Sequence, residues 1–278
     1  CGTIFYQGHK IVEDEERGIF DRAAAESLVS RQAELSQETG CPSILHIYAR
    51  SIEAFSRYLD FTEKIWSGPF IIDSADPATR MAAAALASEQ GYADKAIYNS
   101  ISLATDEAEA QAIRDSELDS AIILAYNPTQ PGVEGSLAVL ETGGQAREKG
   151  LLDAARDMGI NNMLIDPAVL PLGSGAGAAL RFSVAAKARL GYPVGSGIHN
   201  AISSWPWLAG RDAAAKRGCD AAAAAMQLLA AADFLLYGPI EMSEIVFPAA
   251  AMADILIAEA VQDLEIAPSD AHPLHRLV

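Results

Sequence analysis

FIIDSADPATRMAAAALASEQGYADKAIYNS, residues 70–100, contains one complete unit of alternation. An apolar run (Phe70–Asp73) passes through a polar turn into an alanine-rich segment of helical periodicity (Ala78–Gln90), and a second apolar run (Ala96–Asn99) follows. Neither run alternates with polar residues, as a strand wetted on one face would. Continuous apolar runs belong to parallel strands covered on both faces. The unit recurs in both directions along the chain. Further runs stand at Thr3–Tyr6, Ile44–Ala49, Ala121–Tyr126, Met163–Asp166, Pro193–Gly197 and Phe234–Tyr237, which makes eight. Helical patterns separate them at Arg22–Thr39, Ser51–Trp66, Asp106–Ser116, Gly144–Met158, Ala176–Leu190 and Ala209–Ala231, with a tail helix over Ala249–Glu265. Eight strand–helix units predict an α/β fold of the (β/α)8 TIM-barrel type filling residues 1–278 as one domain. An open doubly wound sheet is disfavoured, because no G-x-G-x-x-G follows an early strand. The nearest glycine cluster, LGSGAGAAL (172–180), comes after the sixth.

Composition narrows the function classes. The 37 acidic against 20 basic residues give a formal charge of −17, which repels nucleic-acid phosphates and anionic membrane surfaces. The most apolar stretch, Ala221–Leu236, is interrupted by Gln227 and Asp233 and is too short to insert in a bilayer. Cys1, Cys41 and Cys219 are too few and too scattered for a disulfide framework or a zinc quartet, so the expected compartment is the reducing cytoplasm. The histidines show no metal-ligand spacing, and no bound metal is expected. Cys1 followed by Gly2 also opens amidotransferases that use an N-terminal nucleophile. That chemistry needs an antiparallel sandwich, whereas strand and helix alternate here to the end. Cys1 is therefore read as an internal residue of a chain whose short leader is missing.

In a barrel the active site lies at the carboxyl ends of the strands. The runs close as FIIDS, AIYNS, ILAYNP, MLIDP and VGSGIHN, bringing Asp73, Asn99, Asn127, Asp166 and Asn200 to one mouth. Carboxylates and carboxamides with no cation among them suit a neutral heterocycle with several N–H donors, such as a pterin. Taken singly, each of these residues could equally cap the turn that follows its strand.

The segments GTIFYQGHKIV (2–12), FIIDSADPATR (70–80), KAIYNSIS (95–102), LIDPAVLPLGSGAGAALR (164–181) and GYPVGSGIHNAIS (191–203) resemble those of pterin-dependent corrinoid methyltransferases related to the H-subunit of tetrahydromethanopterin S-methyltransferase. The resemblance spans essentially the whole chain. It implies the pterin-binding barrel of dihydropteroate synthase, and methyl transfer between a methylcorrinoid and N5 of tetrahydrofolate, as in bacterial glycine betaine demethylation. The cobalamin would be carried by a partner corrinoid protein, and the enzyme would be a homodimer. By the same analogy Asp73 and Asp166 hold the amino-pyrimidinone edge, Asn99 bonds the pterin ring, and Asn200 lies near N5. Asn99 and Asn200 are the catalytic candidates; Asn127, Ser196 and Gly197 complete the pterin-binding set. His199 is either a proton relay or an ordinary loop histidine, and Arg181 either pairs with Asp166 or meets a folate tail. Tyr6, Gln7 and His9 are further candidates at the mouth. Three alternatives stand beside this reading: a tetrahydromethanopterin-specific methyltransferase, a barrel that only docks a corrinoid protein, and a dihydropteroate-synthase-like condensing enzyme.

Overall fold

A computed structural model describes residues 1–278. Strand β1 (Gly2–Ile4) is followed by a short antiparallel hairpin, β2 (Val12–Asp14) and β3 (Ile19–Phe20), and then by α1 (Arg22–Thr39). The alternation continues through β4 (Leu45–Tyr48), α2 (Ile52–Thr62), β5 (Phe70–Asp73), α3 (Pro77–Glu89), β6 (Ala96–Ile101), α4 (Glu107–Asp115) and β7 (Ser120–Leu124). Next come α5 (Val133–Thr142), α6 (Leu151–Asp157), β8 (Asn162–Asp166), α7 (Gly177–Leu190) and β9 (Gly195–Ser196). The last quarter holds α8 (His199–Ser203), α9 (Pro206–Ala209), α10 (Ala213–Leu229), β10 (Phe234–Leu235), β11 (Gly238–Pro239), α11 (Ser243–Ala260) and α12 (Pro273–Leu277).

The strands close into a barrel. Parallel pairing runs β1-β4-β5-β6-β7-β8, and a parallel bridge between Ile165 and Val194 carries it to β9, which pairs with β10. β10 and β11 are the two halves of one interrupted eighth strand, the first pairing with β9 and the second with β1. The eight units expected from the sequence are therefore all present.

Five of the helices begin directly after an Asp or Ser whose side chain accepts a backbone N–H of the first turn: Asp21, Ser51, Asp76, Asp106 and Asp212. Such caps satisfy donors that the helix itself leaves unpaired, and so decide where each loop becomes a helix. Several boundaries depart from the sequence expectation: the tail helix expected over Ala249–Glu265 is α11 (Ser243–Ala260), the helix expected over Ala209–Ala231 is divided into α9 and α10, and α2 ends at Thr62 rather than Trp66. β1 stops at Ile4 rather than Tyr6, because Phe5 turns to φ 61° and stacks its ring on Tyr58 at 3.9 Å. The helix expected over Gly144–Met158 is only its second half, α6. Gly143 and Gly144, at φ 85° and 58°, instead end a helix, α5, that the Pro131-Gly132 pair had concealed.

The parity of the strands builds two layers inside the barrel. Ile71, Ile97 and Ile122 form an interior plug with Cys1, Ile44, Leu164 and Leu236 packed against it. Side chains two residues apart share a face, so the positions two further on lie directly above this plug. These are Thr3, His46, Asp73, Asn99, Leu124 and Asp166. Intervening residues such as Ile47, Ile72, Tyr98, Ile123 and Ile165 face outward and are buried beneath the helices in the main core. Each fully buried Ile or Leu contributes about 1.5–3 kcal/mol of burial. The plug thus forms a rigid floor for whatever sits above it.

Candidate functional site

A cavity of about 530 Å³ opens at the carboxyl ends of the strands. Five of the seven residues expected from the sequence line it: Asp73, Asn99, Asp166, Gly197 and Asn200. This volume lies in the range of pockets that enclose small ligands.

Asp166, at the end of β8, is buried, with a relative exposure of 8%. Its Oδ1 accepts the backbone N–H of Ala168 at 2.8 Å, and no hydrogen bond engages Oδ2. Burial pushes the carboxyl up to about 7, partly offset by that N–H. Asp73, at the end of β5, shares Oδ2 with His46 Nε2 at 2.9 Å and keeps Oδ1 free of protein partners. Asn99 lies beside Asp73 in the β5–β6 register. The register then slips between Asn99 and Ile101, so Asn99 and Ser100 both reach the cavity. Asn200 stands in the first turn of α8, exposed at the rim. A Cβ on Gly197 would come within 3.0 Å of Asn200 Nδ2, so the bare glycine makes room for that carboxamide. Neither Asn99 nor Asn200 spends its carboxamide on a protein partner.

The two remaining candidates do not line the cavity. Asn127 is buried, and its Oδ1 accepts from Thr129 N, Thr129 Oγ1 and Gln130 N. It folds its own loop, the alternative role available to any strand-end Asx. Ser196 points outward and donates to Gln227 Oε1 on α10 at 2.7 Å, because it lies one residue out of phase with the inward-facing set. Arg181 is exposed and forms no ion pair with Asp166. His9 and Tyr6 bond Glu241 and tie the β1 loop to the β11 loop, while Gln7 is exposed. His199 packs on the backbone of Gly238, where a Cβ would collide with the imidazole ring. Burial, then the charge of nearby His46, lower its pKa to about 4. No group of three or more potential metal ligands is present.

Several lining residues escaped the sequence reading, chiefly Thr3, His46, Ser74, Arg80, Ser100 and Ser102. His46 was legible in principle, being two residues beyond the inward-facing Ile44. Arg80 was not, because it comes from α3 and only packing returns it to the mouth. It corrects the expectation of a site free of cations. Its charge is largely answered within the wall: Arg80 donates to Glu109 Oε1 at 2.7 Å and to the Ser74 carbonyl at 2.7 Å, and Tyr98 donates to the same Glu109 oxygen at 2.5 Å. The free acceptors facing the cavity thus include two carboxylate oxygens and two carboxamides, a set suited to a neutral ligand rich in N–H groups.

Comparison with known proteins gives a concordant result. The family model described as the tetrahydromethanopterin S-methyltransferase MtrH subunit matches residues 1–269. The tetrahydromethanopterin S-methyltransferase H-subunit of Methanocaldococcus jannaschii is 49% identical over 290 positions, covering 100% of this chain and 91% of the relative. The H-subunit of the putative methyltransferase mtx of Methanosarcina mazei is 49% identical over 281 positions with the same coverage, 100% and 91%. Among solved structures, 7,8-dihydropteroate synthase from Vibrio fischeri ES114 superposes with a TM-score of 0.59 at 13% identity, covering 96% of this chain and 92% of that one. The Coxiella burnetii dihydropteroate synthase in complex with pteroic acid gives 0.57 at 14% identity, covering 91% and 90%. At such identities these two establish the shared barrel fold.

Proposed function

Because the chain belongs to the MtrH family of tetrahydromethanopterin S-methyltransferase components, we propose that it transfers a methyl group between N5 of a tetrahydropterin and a corrinoid held by a partner protein. The names of its relatives favour tetrahydromethanopterin over the tetrahydrofolate expected from the sequence. The observation that supports the reading is the convergence of Asp73, Asn99, Asp166 and Asn200 on one cavity above an apolar floor.

In this reading Asp166 Oδ2 and Asp73 Oδ1 accept N–H bonds from the amino-pyrimidinone edge, and Asn99 bonds the ring. Asn200, at the rim, holds N5 where the methyl group passes. N5 is a poor leaving group unless a hydrogen bond or a proton offsets the charge that develops on it. A carboxamide placed there stabilises that charge as other fixed donors do, typically by about 2.7–4 kcal/mol, or about 10²–10³ in rate. The corrinoid supplies the cobalt–carbon bond chemistry; the chain's part is to bind, orient and exclude water. A corrin ring on its carrier protein is far larger than the cavity, so the partner has to meet the substrate at the mouth.

The decisive experiment incubates the purified chain with methyl-tetrahydromethanopterin and cob(I)alamin without oxygen and follows methylcobalamin by absorbance. Transfer that is faster than with methyl-tetrahydrofolate, and lost in Asp166→Ala, is the expected result. Failure to bind either pterin sinks the proposal.

A further inference from the structure

His46 is among the cavity residues to which the reaction outlined above gives no part. His46 is buried, lines the cavity, and has both ring nitrogens engaged: Nε2 with Asp73 Oδ2 at 2.9 Å and Nδ1 with Thr3 Oγ1 at 3.1 Å. The two partners differ in kind. An ionised carboxylate only accepts, so Nε2 carries a proton toward Asp73. A hydroxyl can donate or accept. Thr3 donates to Nδ1 when the ring is neutral, and by rotating its hydroxyl it accepts from Nδ1–H when the ring is an imidazolium. His46 can therefore change charge without losing either hydrogen bond. A backbone carbonyl in place of Thr3 would fix the ring in one state.

The surrounding charges make such a change useful. Across β5 the ring faces Asp73; from β1 it faces Thr3, which does not titrate; from α8 it faces His199, which stays neutral. Asp166 stands on the far wall, and the guanidinium of Arg80 is held by Glu109. A neutral pterin that fills the cavity removes water from Asp73 and brings no cation to replace it. Desolvating a carboxylate in this way favours a positive charge beside it, because a paired, net-neutral couple costs less to bury than a lone carboxylate.

We propose that His46 is a positioning residue that makes pterin capture proton-coupled: it takes up a proton as the pterin binds, and the imidazolium so formed holds Asp73 ionised with Oδ1 presented to the ligand. The inference rests on the pterin reading above. No covalent bond is made or broken in this step; the proton comes from solvent.

The test is isothermal titration of the whole chain with tetrahydromethanopterin at about pH 8, where Asp166 is already mostly ionised, in buffers of different ionisation enthalpy. The dependence of the heat on the buffer counts the protons exchanged. Uptake approaching about one proton per pterin is expected for the native chain, the count that linkage assigns to one group changing charge. In His46→Gln, which keeps an N–H donor for Asp73 but cannot titrate, pterin still binds and the uptake falls to near zero. In Thr3→Val, which leaves an Nδ1–H without an acceptor, the uptake falls while the imidazole remains. Heats that do not depend on the buffer in the native chain, or an uptake unchanged in His46→Gln, overturn the inference and leave the pterin reading standing. Absence of any binding heat overturns the pterin reading, and this inference with it.

Discussion

Asp166 is the residue at which the site's chemistry and its pH behaviour meet. Its carboxyl is raised to about 7 by burial, so the folded chain holds that proton more tightly than the unfolded one does. The stabilisation is complete below the ordinary carboxylate range and is lost as pH rises through about 7, with a limiting slope near about 1.4 kcal/mol per pH unit. Thermal melts of the ligand-free protein should therefore show that slope as neutrality is approached, and Asp166→Asn should flatten it and melt higher at about pH 8. A pterin N–H needs the carboxylate, so the Asp166 contribution to affinity should fall by up to about tenfold per pH unit below about 7. A titration series with Asp166→Asn checks this, since the variant binds weakly at every pH. Asn200 and Asn127 provide the contrast between a functional and a structural carboxamide. Asn200→Ala should lower the transfer rate about 10²–10³-fold while leaving the melting curve in place. Asn127→Ala removes three accepted hydrogen bonds in its loop and should cost about 1–3 kcal/mol of stability, with the rate of the folded fraction unchanged.

Among the elements, the wall shared by α3, β6 and α4 is the most consequential for the site. Arg80, Tyr98 and Glu109 come one from each and meet beneath the rim, with Glu109 almost fully buried. Breaking a buried pair strands the remaining charge, at a typical cost of about 3–5 kcal/mol. Glu109→Gln should consequently lower the denaturation midpoint sharply, and a Glu109→Gln, Arg80→Met double variant should recover much of the loss. The same wall shows how element-scale features escape a sequence reading. Arg80 belongs to a helix and Glu109 to the next one, and nothing in their spacing signals that both turn toward one strand end. The helix α5 was hidden for a different reason. Its first residue follows Pro131-Gly132, a pair that reads as a turn, and its buried residues Val133, Leu137, Val139 and Leu140 crowd one short segment. By contrast α1 spans the same residues, Arg22–Thr39, that its periodicity predicts, because Asp21 caps its start and Gly40 at φ 80° ends it.

At the scale of the whole molecule the site depends on closure of the barrel. The eighth strand is broken between Leu235 and Gly238 so that its first half can pair with β9 and its second with β1. Gly238 sits at the break with φ 80°, under the ring of His199. Gly238→Ala would add both backbone strain and a clash with that ring, and is expected to destabilise the fold by more than about 1 kcal/mol. Chemical denaturation followed by circular dichroism would register the loss, and a variant as stable as the native chain would show that the seam tolerates a side chain.

The sequence by itself determined the alternation of eight strands and helices, the continuous burial of the strands, and the polar residues that close them. Each of these is a local property, read from period and composition within a short window of the chain. Asp73, Asn99, Asp166 and Asn200 could be placed at one mouth because strand ends in a barrel all point the same way. Only the tertiary structure decided which strand-end residues face inward. Parity separates Asp166 from Ser196, and the local turn directs Asn127 back onto its own loop. Only the tertiary structure, too, brought Thr3, His46 and Asp73 from three separate strands into one hydrogen-bonded chain. Contacts between residues 27 and 43 positions apart leave no periodic trace in the chain, because they arise when the strands close on one another.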